Sequence, residues 1–297
     1  MKVVLFCGGL GTRLKEYSET IPKPMVEIGY RPIIWHLMRY YAHYGHTEFI
    51  LCLGYRGDYI KKYFLNYDEC LSNNFVLSGG GRHVRLYSSD IADWTISFVD
   101  TGLHSNIGQR LVAVKDYLED DEVFMANYSD GLTDLDLDQY LAYFRQQGRI
   151  ASFLCVRPSQ SFHMVKLDAA GRVQGLCPVG KSEVWINGGF FIFRREVFDY
   201  IKAGEELVEE PFYRLIKANQ LVAYRNPGFW ACMDTLKEKT MFDEMYARGE
   251  TPWAVWEPGR NGRAANARPL ALAAEAAEGR GSSLSQRRNA HPERTYG

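Results

Sequence analysis

The stretch Cys7-Gly8-Gly9-Leu10-Gly11-Thr12-Arg13-Leu14, followed by Pro22-Lys23-Pro24, decides the fold of this chain. The apolar run of residues 3–6 in front of it predicts a short buried strand. Glycines directly after such a strand let backbone N–H groups approach phosphate oxygens without a Cβ in the way. Arg13 can bind phosphate through two N–H groups, and Lys23 adds a second cation on a segment stiffened by prolines. A Gly-x-Gly pair alone is typical of an ordinary turn, but this combination predicts a triphosphate-binding loop.

Strand-like and helix-like patterns alternate from here onward, as in βαβ units with a largely parallel sheet. From His163 the pattern changes to short alternating strands with turns at 170–171 and 187–189, followed by the apolar run 190–193. We therefore predict an α/β fold with a mixed, mostly parallel sheet flanked by helices and a small antiparallel subdomain. The predicted strands are 3–6, 49–53, 96–99, 123–128 and 151–156, and the predicted helices are 32–45, 57–64, 108–118, 137–147, 209–218 and 235–248.

Composition limits the kinds of partner to expect. The 297 residues are 46% hydrophobic and 14% aromatic, enough to bury a full core, and the net charge of -1 gives no electrostatic reason to bind nucleic acid or an anionic membrane. No apolar run approaches the ~20 residues of a membrane span, and Gly8 and Gly9 interrupt any signal-peptide pattern. We therefore expect a cytoplasmic protein with no nucleic-acid or membrane partner.

The metal-ligating residue types give no zinc or disulfide pattern. The six cysteines lack C-x-x-C spacing, so reduced structural thiols are expected. His36, His43 and His46 lie on or after one helical pattern, and we expect surface or capping roles for them rather than a metal site. From about Pro258 the composition changes to Ala, Arg, Gly and Ser, which predicts a disordered tail over residues 258–297.

Two aspartates far apart in the sequence stand out as metal ligands. Asp130 follows the predicted strand 123–128 and precedes Gly131, so its carboxylate should lie at the carboxyl edge of the sheet, where ligands bind in open α/β folds. Asp234 follows an apolar run and precedes a helical pattern. Alone, they would be a turn residue and a helix N-cap. Next to a triphosphate loop, two carboxylates are what Mg²⁺ requires, and we predict that Asp130 and Asp234 hold it.

The chain from Met1 to about Glu257 resembles the sugar-1-phosphate nucleotidylyltransferases, and within them it is most similar to the glucose-1-phosphate cytidylyltransferases. The resemblance implies a Rossmann-like nucleotidyltransferase domain over residues 1–257, with a nucleotide-binding half (about 1–160) and an acceptor-binding part (about 161–257). The matching blocks, in order, are Gly8-Gly9-Leu10-Gly11-Thr12-Arg13-Leu14, Pro22-Lys23-Pro24-Met25-Val26-Glu27-Ile28-Gly29, Val99-Asp100-Thr101-Gly102, Asp130-Gly131, Ile186-Asn187-Gly188-Gly189-Phe190-Phe191, Gly228-Phe229-Trp230 and Met233-Asp234-Thr235.

The resemblance also implies substrates and residue roles. The substrates would be CTP and a sugar 1-phosphate, α-D-glucose 1-phosphate in the first instance, with Mg²⁺ as cofactor and a homo-oligomer as the assembly. Asp130 and Asp234 would carry the metal, and Asn187 and Gly188 would reach the sugar. The implied nucleotide-binding residues are Gly8, Gly9, Gly11, Thr12, Arg13, Lys23, Thr101, Gly102 and Arg110, of which Arg13, Lys23 and Arg110 would be the catalytic cations.

This chemistry needs no dedicated base. A phosphate monoester has a second pKa of about 6, so its oxygen is already largely ionised and nucleophilic near pH 7. The task is to bring two anions together and to neutralise charge as pyrophosphate leaves in an in-line substitution. Fixed cations and Mg²⁺ supply that stabilisation, so no Ser-His-Asp or Cys-His nucleophile is expected.

One segment departs from the family pattern. The family places Glu-Lys-Pro before the Asn-Gly-Gly block, where this chain has Leu176-Cys177-Pro178-Val179-Gly180-Lys181. Lys181 could replace the missing lysine as a ligand of the acceptor phosphate, or His163 could face the same pocket. Two alternatives therefore stand beside a cytidylyltransferase: an enzyme of the same fold with another phosphorylated acceptor or base, and a catalytically weak nucleotide sensor. Retention of Arg13, Lys23, Asp130 and Asp234 argues against the sensor.

Overall fold

The first predicted strand lies in the middle of the central sheet. A computed structural model describes residues 1–9, 21–158 and 162–257, which belong to one unit of the chain, Met1–Asn261. The predicted site residues Gly11, Thr12 and Arg13, and the predicted tail 258–297, lie outside the described residues.

Strands and helices alternate along the chain as predicted. Among the described helices, none has the length and apolar composition needed to span a membrane. The strands are β1 (Val3–Phe6), β2 (Glu27–Ile28), β3 (Arg31–Pro32), β4 (Glu48–Leu53), β5 (Phe75–Ser78), β6 (His83–Leu86), β7 (Thr95–Asp100), β8 (Val123–Tyr128), β9 (Gly131–Thr133), β10 (Ala151–Val156), β11 (His163–Leu167), β12 (Val173–Pro178), β13 (Ile186–Asn187), β14 (Phe191–Arg194), β15 (Leu221–Arg225) and β16 (Trp230–Cys232). The helices are α1 (Ile33–His43), α2 (Gly57–Leu65), α3 (Glu69–Ser72), α4 (Ile107–Ala113), α5 (Leu137–Gln147), α6 (Glu210–Lys217) and α7 (Leu236–Ala247).

The central sheet has the strand order β13-β10-β14-β8-β1-β4-β7, with β15 paired to β10. Strands β8, β1, β4 and β7 run parallel, so their carboxyl ends meet at one edge. Strand β14 is antiparallel to β8 and to β10. These pairings confirm the predicted mixed, mostly parallel sheet.

The core lies on both faces of this sheet. Val3 and Leu5 of β1 pack on one face with α1 and α5, whereas Val4 and Phe6 pack on the other face with α4 and α6. All four side chains are buried, and burial of an aliphatic or aromatic side chain stabilises the fold by about 1.5–3 kcal/mol. A strand that is apolar on both faces must be covered on both faces, which explains the unbroken run of residues 3–6.

The apolar run 190–193 was predicted to belong to the antiparallel subdomain, and this prediction is wrong. Phe191 and Phe193 are fully buried in the core, because β14 lies inside the central sheet between β8 and β10. Of the strands after His163, β11 and β12 form a separate hairpin. The division of the domain near residue 160 stays a prediction, since strands from both sides of that point share the central sheet.

His36 also differs from its prediction. It is 4% exposed, its Nε2 lies 3.2 Å from the carbonyl oxygen of Ile28, and Trp253 donates a hydrogen bond to its Nδ1. Burial lowers the pKa of His36 to about 4. His36 is therefore a neutral core residue rather than a surface or capping residue.

Candidate active site

A cavity of about 500 Å³ opens where the carboxyl ends of the parallel strands meet. The loop of residues 103–107 forms one wall, and the end of β1 together with the turn after β8 forms the floor. The predicted site residues that line it are Gly8, Gly9, Lys23, Arg110, Asp130 and Asp234.

The two aspartates are brought together by a short antiparallel ribbon. Strand β9 begins directly after Asp130, and β16 ends shortly before Asp234; the two strands pair with Cys232 opposite Gly131. The backbone N–H of Met233 then donates to the carbonyl oxygen of Asp130 at 2.8 Å. Because this pairing joins segments about one hundred residues apart, the sequence pattern gave no sign of it. It fixes the two carboxylates on the same side of the cavity.

Lys23 bridges both carboxylates. Its Nζ lies 2.5 Å from Asp130 Oδ2 and 2.5 Å from Asp234 Oδ1. Burial alone would lower the pKa of the Lys23 ammonium, but the charges and hydrogen bonds of the two carboxylates outweigh it, and the pKa is raised. The ammonium is therefore fully charged at neutral pH.

The donor set fits a divalent cation. The bridging ammonium shows that both carboxylates can face a single positive charge. Within the described residues no group of three or more His, Cys, Asp or Glu side chains could hold a metal ion, so the remaining ligands would have to be water or phosphate oxygens. One or two carboxylates completed by water and substrate phosphate is the set that Mg²⁺ prefers.

The thiol of Cys232 lies beside this pair of carboxylates without completing the donor set. Its Sγ is 3.6 Å from Asp234 Oδ2. Burial, together with the charges of Asp234 and Asp130, raises the pKa of Cys232 to about 12. A protonated thiol is a poor metal ligand, so Cys232 donates to the carboxylate instead.

Arg110 holds together the loops that follow three parallel strands. Its Nη1 donates to the carbonyl oxygen of Leu53 at 3.0 Å and to Thr101 Oγ1 at 2.7 Å. Its Nη2 donates to the carbonyl oxygens of Gly8 at 3.0 Å and Leu103 at 3.3 Å. The sequence did not indicate this positioning role, and the predicted contact of Arg110 with phosphate stays a prediction.

Gly8 is required for this arrangement. A Cβ on Gly8 would lie 2.1 Å from Arg110 Nη1, whereas a Cβ on Gly9 would meet nothing within 4 Å. Gly54, which belongs to none of the sequence motifs, is also constrained, because a Cβ on it would lie 2.8 Å from the carbonyl oxygen of Gly8. The glycines after β1 and β4 therefore make room for the guanidinium.

The charge of Arg110 is only partly compensated. Its side chain is buried, and in the part of the chain that the structure describes no carboxylate lies within salt-bridge distance of it. Burial lowers the pKa of the guanidinium. A buried cation that meets only carbonyl and hydroxyl oxygens leaves positive potential at the cavity wall, which favours an anionic ligand there.

Thr101 and Gly102 lie behind this wall. Thr101 Oγ1 donates to the carbonyl oxygen of Leu53 at 2.8 Å, and Gly102 has a left-handed backbone with φ of 92°. The following loop reaches the cavity, as does Glu206, whose carboxylate accepts a hydrogen bond from Ile107 N–H at 3.3 Å. Neither this loop nor Glu206 belongs to a recognisable motif, so neither was predicted from the sequence to line the site. The predicted base and ribose contacts stay predictions.

The predicted acceptor residues do not line the cavity. The Asn187 amide oxygen accepts a hydrogen bond from Gly189 N–H at 2.9 Å, and the carbonyl oxygen of Gly188 accepts one from Trp230 Nε1 at 2.9 Å. Trp230 begins β16, so this bond connects the acceptor block to the strand that precedes Asp234. Lys181 is exposed in a 3₁₀ turn, Val179–Lys181, after the β11–β12 hairpin. The acceptor roles of these residues stay predictions.

Comparison with known proteins agrees with the fold and the motifs. The family described as nucleotidyl transferase matches residues 2–235. Glucose-1-phosphate cytidylyltransferases from Salmonella typhi and Salmonella typhimurium (strain LT2) are each 38% identical over 259 residues, which cover 86% of this chain and 100% of theirs. The crystal structure of UDP-glucose pyrophosphorylase complexed with UDP-glucose matches with a TM-score of 0.61 and 14% identity, covering 84% of this chain and 98% of that chain. The structural likeness confirms the predicted fold.

Proposed function

Because the chain belongs to the nucleotidyl transferase family, we propose that it transfers a cytidylyl group from CTP to a sugar 1-phosphate, giving a CDP-sugar and pyrophosphate. We propose α-D-glucose 1-phosphate as the sugar, since the relatives named glucose-1-phosphate cytidylyltransferases match along their whole length. Mg²⁺ is the proposed cofactor.

The observation that carries this proposal is the meeting of Asp130, Asp234 and Lys23 at the edge of a cavity next to Gly8 and Gly9. In the proposed reaction an oxygen of the sugar phosphate attacks the α-phosphorus of CTP. The bond from that phosphorus to the oxygen bridging the α- and β-phosphates breaks, and the electron pair leaves with pyrophosphate. The obstacle to this reaction is the repulsion between two negatively charged substrates. The site offers two carboxylates that can hold a metal cation and, beside them, the ammonium of Lys23.

The acceptor needs no activation by a protein base. Its phosphate is largely a dianion near pH 7, because its second pKa is about 6. The two thiols near the cavity are unsuited to act as nucleophiles, since burial raises the pKa of both Cys7 and Cys232 to about 12. The protein's contribution is therefore to hold two anions in line and to stabilise charge.

Each group in the site has a defined task in this proposal. Asp130 and Asp234 would hold Mg²⁺, which when bound neutralises phosphate charge and orients the leaving group. Lys23 would stabilise the charge that develops on the phosphates. Arg110 would keep the loops after β1, β4 and β7 in place and add positive potential at the cavity wall.

The identity of the acceptor substrate has a second candidate. The segment Leu176–Lys181 lacks the Glu-Lys-Pro run of the family pattern, and its one lysine, Lys181, is exposed and does not line the cavity. Another phosphorylated acceptor, in an enzyme of the same fold, is therefore the second candidate function.

A pyrophosphate-release screen separates these possibilities. CTP, UTP, dTTP, GTP and ATP are each combined with a panel of sugar phosphates and Mg²⁺, with glucose 6-phosphate as a control for the position of the phosphate. We expect the highest kcat/KM for CTP with glucose 1-phosphate. A higher value with another acceptor favours the second candidate, and pyrophosphate release with no combination favours a nucleotide sensor. The proposed homo-oligomer is tested separately by light scattering, and the proposed cytoplasmic location by cell fractionation.

A further inference from the structure

The ammonium of Lys23 occupies the place between Asp130 and Asp234 that a metal ion would need. We infer that Lys23 is a positioning residue, which holds the two metal-binding carboxylates together in the resting protein and which a divalent cation must displace. The inference rests on the metal site of the proposed function. It adds an exchange of cations, in which Lys23 leaves the carboxylates when the metal arrives and becomes available to phosphate.

Electrostatics explains why the carboxylates need such a partner. Asp130 and Asp234 point at the same place, and their side chains are 22% and 35% exposed. Two partly buried carboxylates repel each other unless a cation lies between them. A single ammonium with three N–H donors satisfies one oxygen of each, at 2.5 Å in both cases. Lys23 thus holds both carboxylates in place before any metal binds.

The same contacts leave no room for a metal ion at the point between the carboxylates where the ammonium lies. Mg²⁺ binds carboxylate oxygens at about 2.0–2.1 Å, closer than the ammonium in this structure. A divalent ion between the carboxylates would therefore press against Lys23 Nζ, and like charges at such a distance repel strongly. The metal can take the site only if the ammonium moves away.

The segment that carries Lys23 is built for such a movement. Pro22 N-caps the 3₁₀ turn Lys23–Met25, Pro24 is buried, and Val26 N–H donates to the carbonyl oxygen of Lys23 at 3.1 Å. The backbone of this turn is therefore held, so the movement we infer is confined to the four-carbon side chain. Lys23 also lines the cavity next to Gly8 and Gly9, so the displaced ammonium remains beside the proposed phosphate site. A nucleotide triphosphate that brings the metal would also provide the phosphate that receives the displaced ammonium.

Metal binding to the nucleotide-free protein tests the exchange. Free Mn²⁺ is measured by electron paramagnetic resonance in titrations of the full chain without nucleotide or acceptor. We expect Lys23→Met to bind Mn²⁺ at least tenfold more tightly than wild type, because no ammonium has to leave. Lys23→Arg, which keeps a cation, should bind as weakly as wild type. A residue that only contacts phosphate, or only supports the fold, would not raise metal affinity when it is removed.

Two control variants complete the experiment. Lys62→Met removes an exposed lysine that is paired with Asp58 at 3.0 Å, and it should leave Mn²⁺ affinity unchanged. Lys23→Met combined with Asp234→Asn should lose the gain in affinity, because one of the two carboxylates is gone. Thermal melts give a second readout: in EDTA Lys23→Met should melt below wild type, and Mn²⁺ should raise its Tm more than that of wild type.

Equal or weaker Mn²⁺ binding by a folded Lys23→Met variant would overturn the inference, as would no detectable binding by either protein. If Lys23→Met does not fold, Lys23→Gln takes its place with the same expectation. Because these titrations contain no substrate, their result does not depend on whether the protein catalyses the proposed reaction. An enzyme that uses CTP but shows no gain in Lys23→Met refutes the exchange alone, and a gain without any turnover refutes the proposed reaction alone.

Discussion

Replacing Asp130 by Asn removes one charge from the pair of carboxylates while keeping nearly the same shape. The backbone contact of Asp130 with Met233 and the β9–β16 pairing do not involve the side chain, so the fold should remain intact. We expect the variant to lose most of its turnover and little of its stability.

The size of the loss follows from the geometry. Unit charges about 4 Å apart in a partly buried site, at an effective dielectric constant near 20, interact by about 4 kcal/mol. The Asp130 side chain is 22% exposed, so solvent screening lowers this figure to about 3 kcal/mol. Removal of one preorganised charge-stabilising group costs a similar amount in other enzymes. Since 1.36 kcal/mol corresponds to a factor of ten, kcat should fall about 150-fold.

The assay is steady-state pyrophosphate release at saturating Mg²⁺, CTP and glucose 1-phosphate, with melting curves of the same preparations. Asp58→Asn is the matched control, because Asp58 is an exposed carboxylate paired with Lys62 on α2. It should retain wild-type turnover. If folded Asp130→Asn keeps more than about a tenth of wild-type kcat, Asp130 does not hold the metal and the reasoning is refuted.

Three further predictions concern the surroundings of the site and the core. Gly8→Ala should lower the free energy of unfolding by about 2–3 kcal/mol in urea titrations, because its Cβ would collide with Arg110, whereas Gly9→Ala should stay within about 0.5 kcal/mol of wild type; equal effects would contradict the packing argument. If Lys181 binds the acceptor phosphate, Lys181→Ala should raise the KM for the acceptor at least tenfold and leave that for CTP unchanged, since a charge-assisted hydrogen bond contributes about 1.5–3 kcal/mol; an unchanged acceptor KM would remove Lys181 from the site. The pKa of His36 falls from 6.5 to about 4 on folding, so between these pH values His36 is protonated in the unfolded chain and neutral in the folded one. The free energy of unfolding should therefore decline by about 3 kcal/mol as the pH falls from 7 to 4. His36→Gln should flatten this decline, and parallel curves for the two proteins would exclude His36 as its source.

Local elements were predictable where their patterns are long and clearly bounded. Strands 123–128 and 151–156 and helix 137–147 have the predicted bounds, because each combines a sustained apolar period with a clear end. The predicted helix 108–118 instead ends at Ala113 and continues as a 3₁₀ turn, Lys115–Leu118. Periodicity detects the buried face in both cases, but it does not separate the two helix types.

Long-range pairing was not predictable from local pattern. Strands β9 and β16 have three residues each, too few to show any alternation, yet their pairing brings Asp130 and Asp234 together. The run 190–193 is apolar on both faces, and this composition suits any covered strand, so it did not show that β14 joins the central sheet. Strand register is set by the hydrophobic pattern and by turn geometry, and strands of three residues about one hundred residues apart show neither.

Only part of the candidate site was predictable from the sequence, again because contacts between distant segments leave no local pattern. Asp130 and Lys23 were identifiable because a carboxylate after a buried strand and a lysine between prolines are locally unusual. The positioning role of Arg110 was not identifiable, because its hydrogen-bond partners are mostly backbone carbonyl oxygens, those of Leu53 at the end of β4 and of Gly8 and Leu103 in two separate loops. Backbone partners leave no trace in residue types, and Glu206 escaped notice because nothing in its sequence neighbourhood marks a site.

The most direct test of cytidylyl transfer at this site follows one reaction by phosphorus NMR and mass spectrometry. Wild-type protein is incubated with CTP, α-D-glucose 1-phosphate and Mg²⁺, beside samples with EDTA and with Asp130→Asn. We predict equal amounts of CDP-glucose and pyrophosphate from the wild-type protein, and little of either in the other two samples. Hydrolysis of CTP without a sugar nucleotide, or CDP-glucose formed equally well in all three samples, would contradict the account.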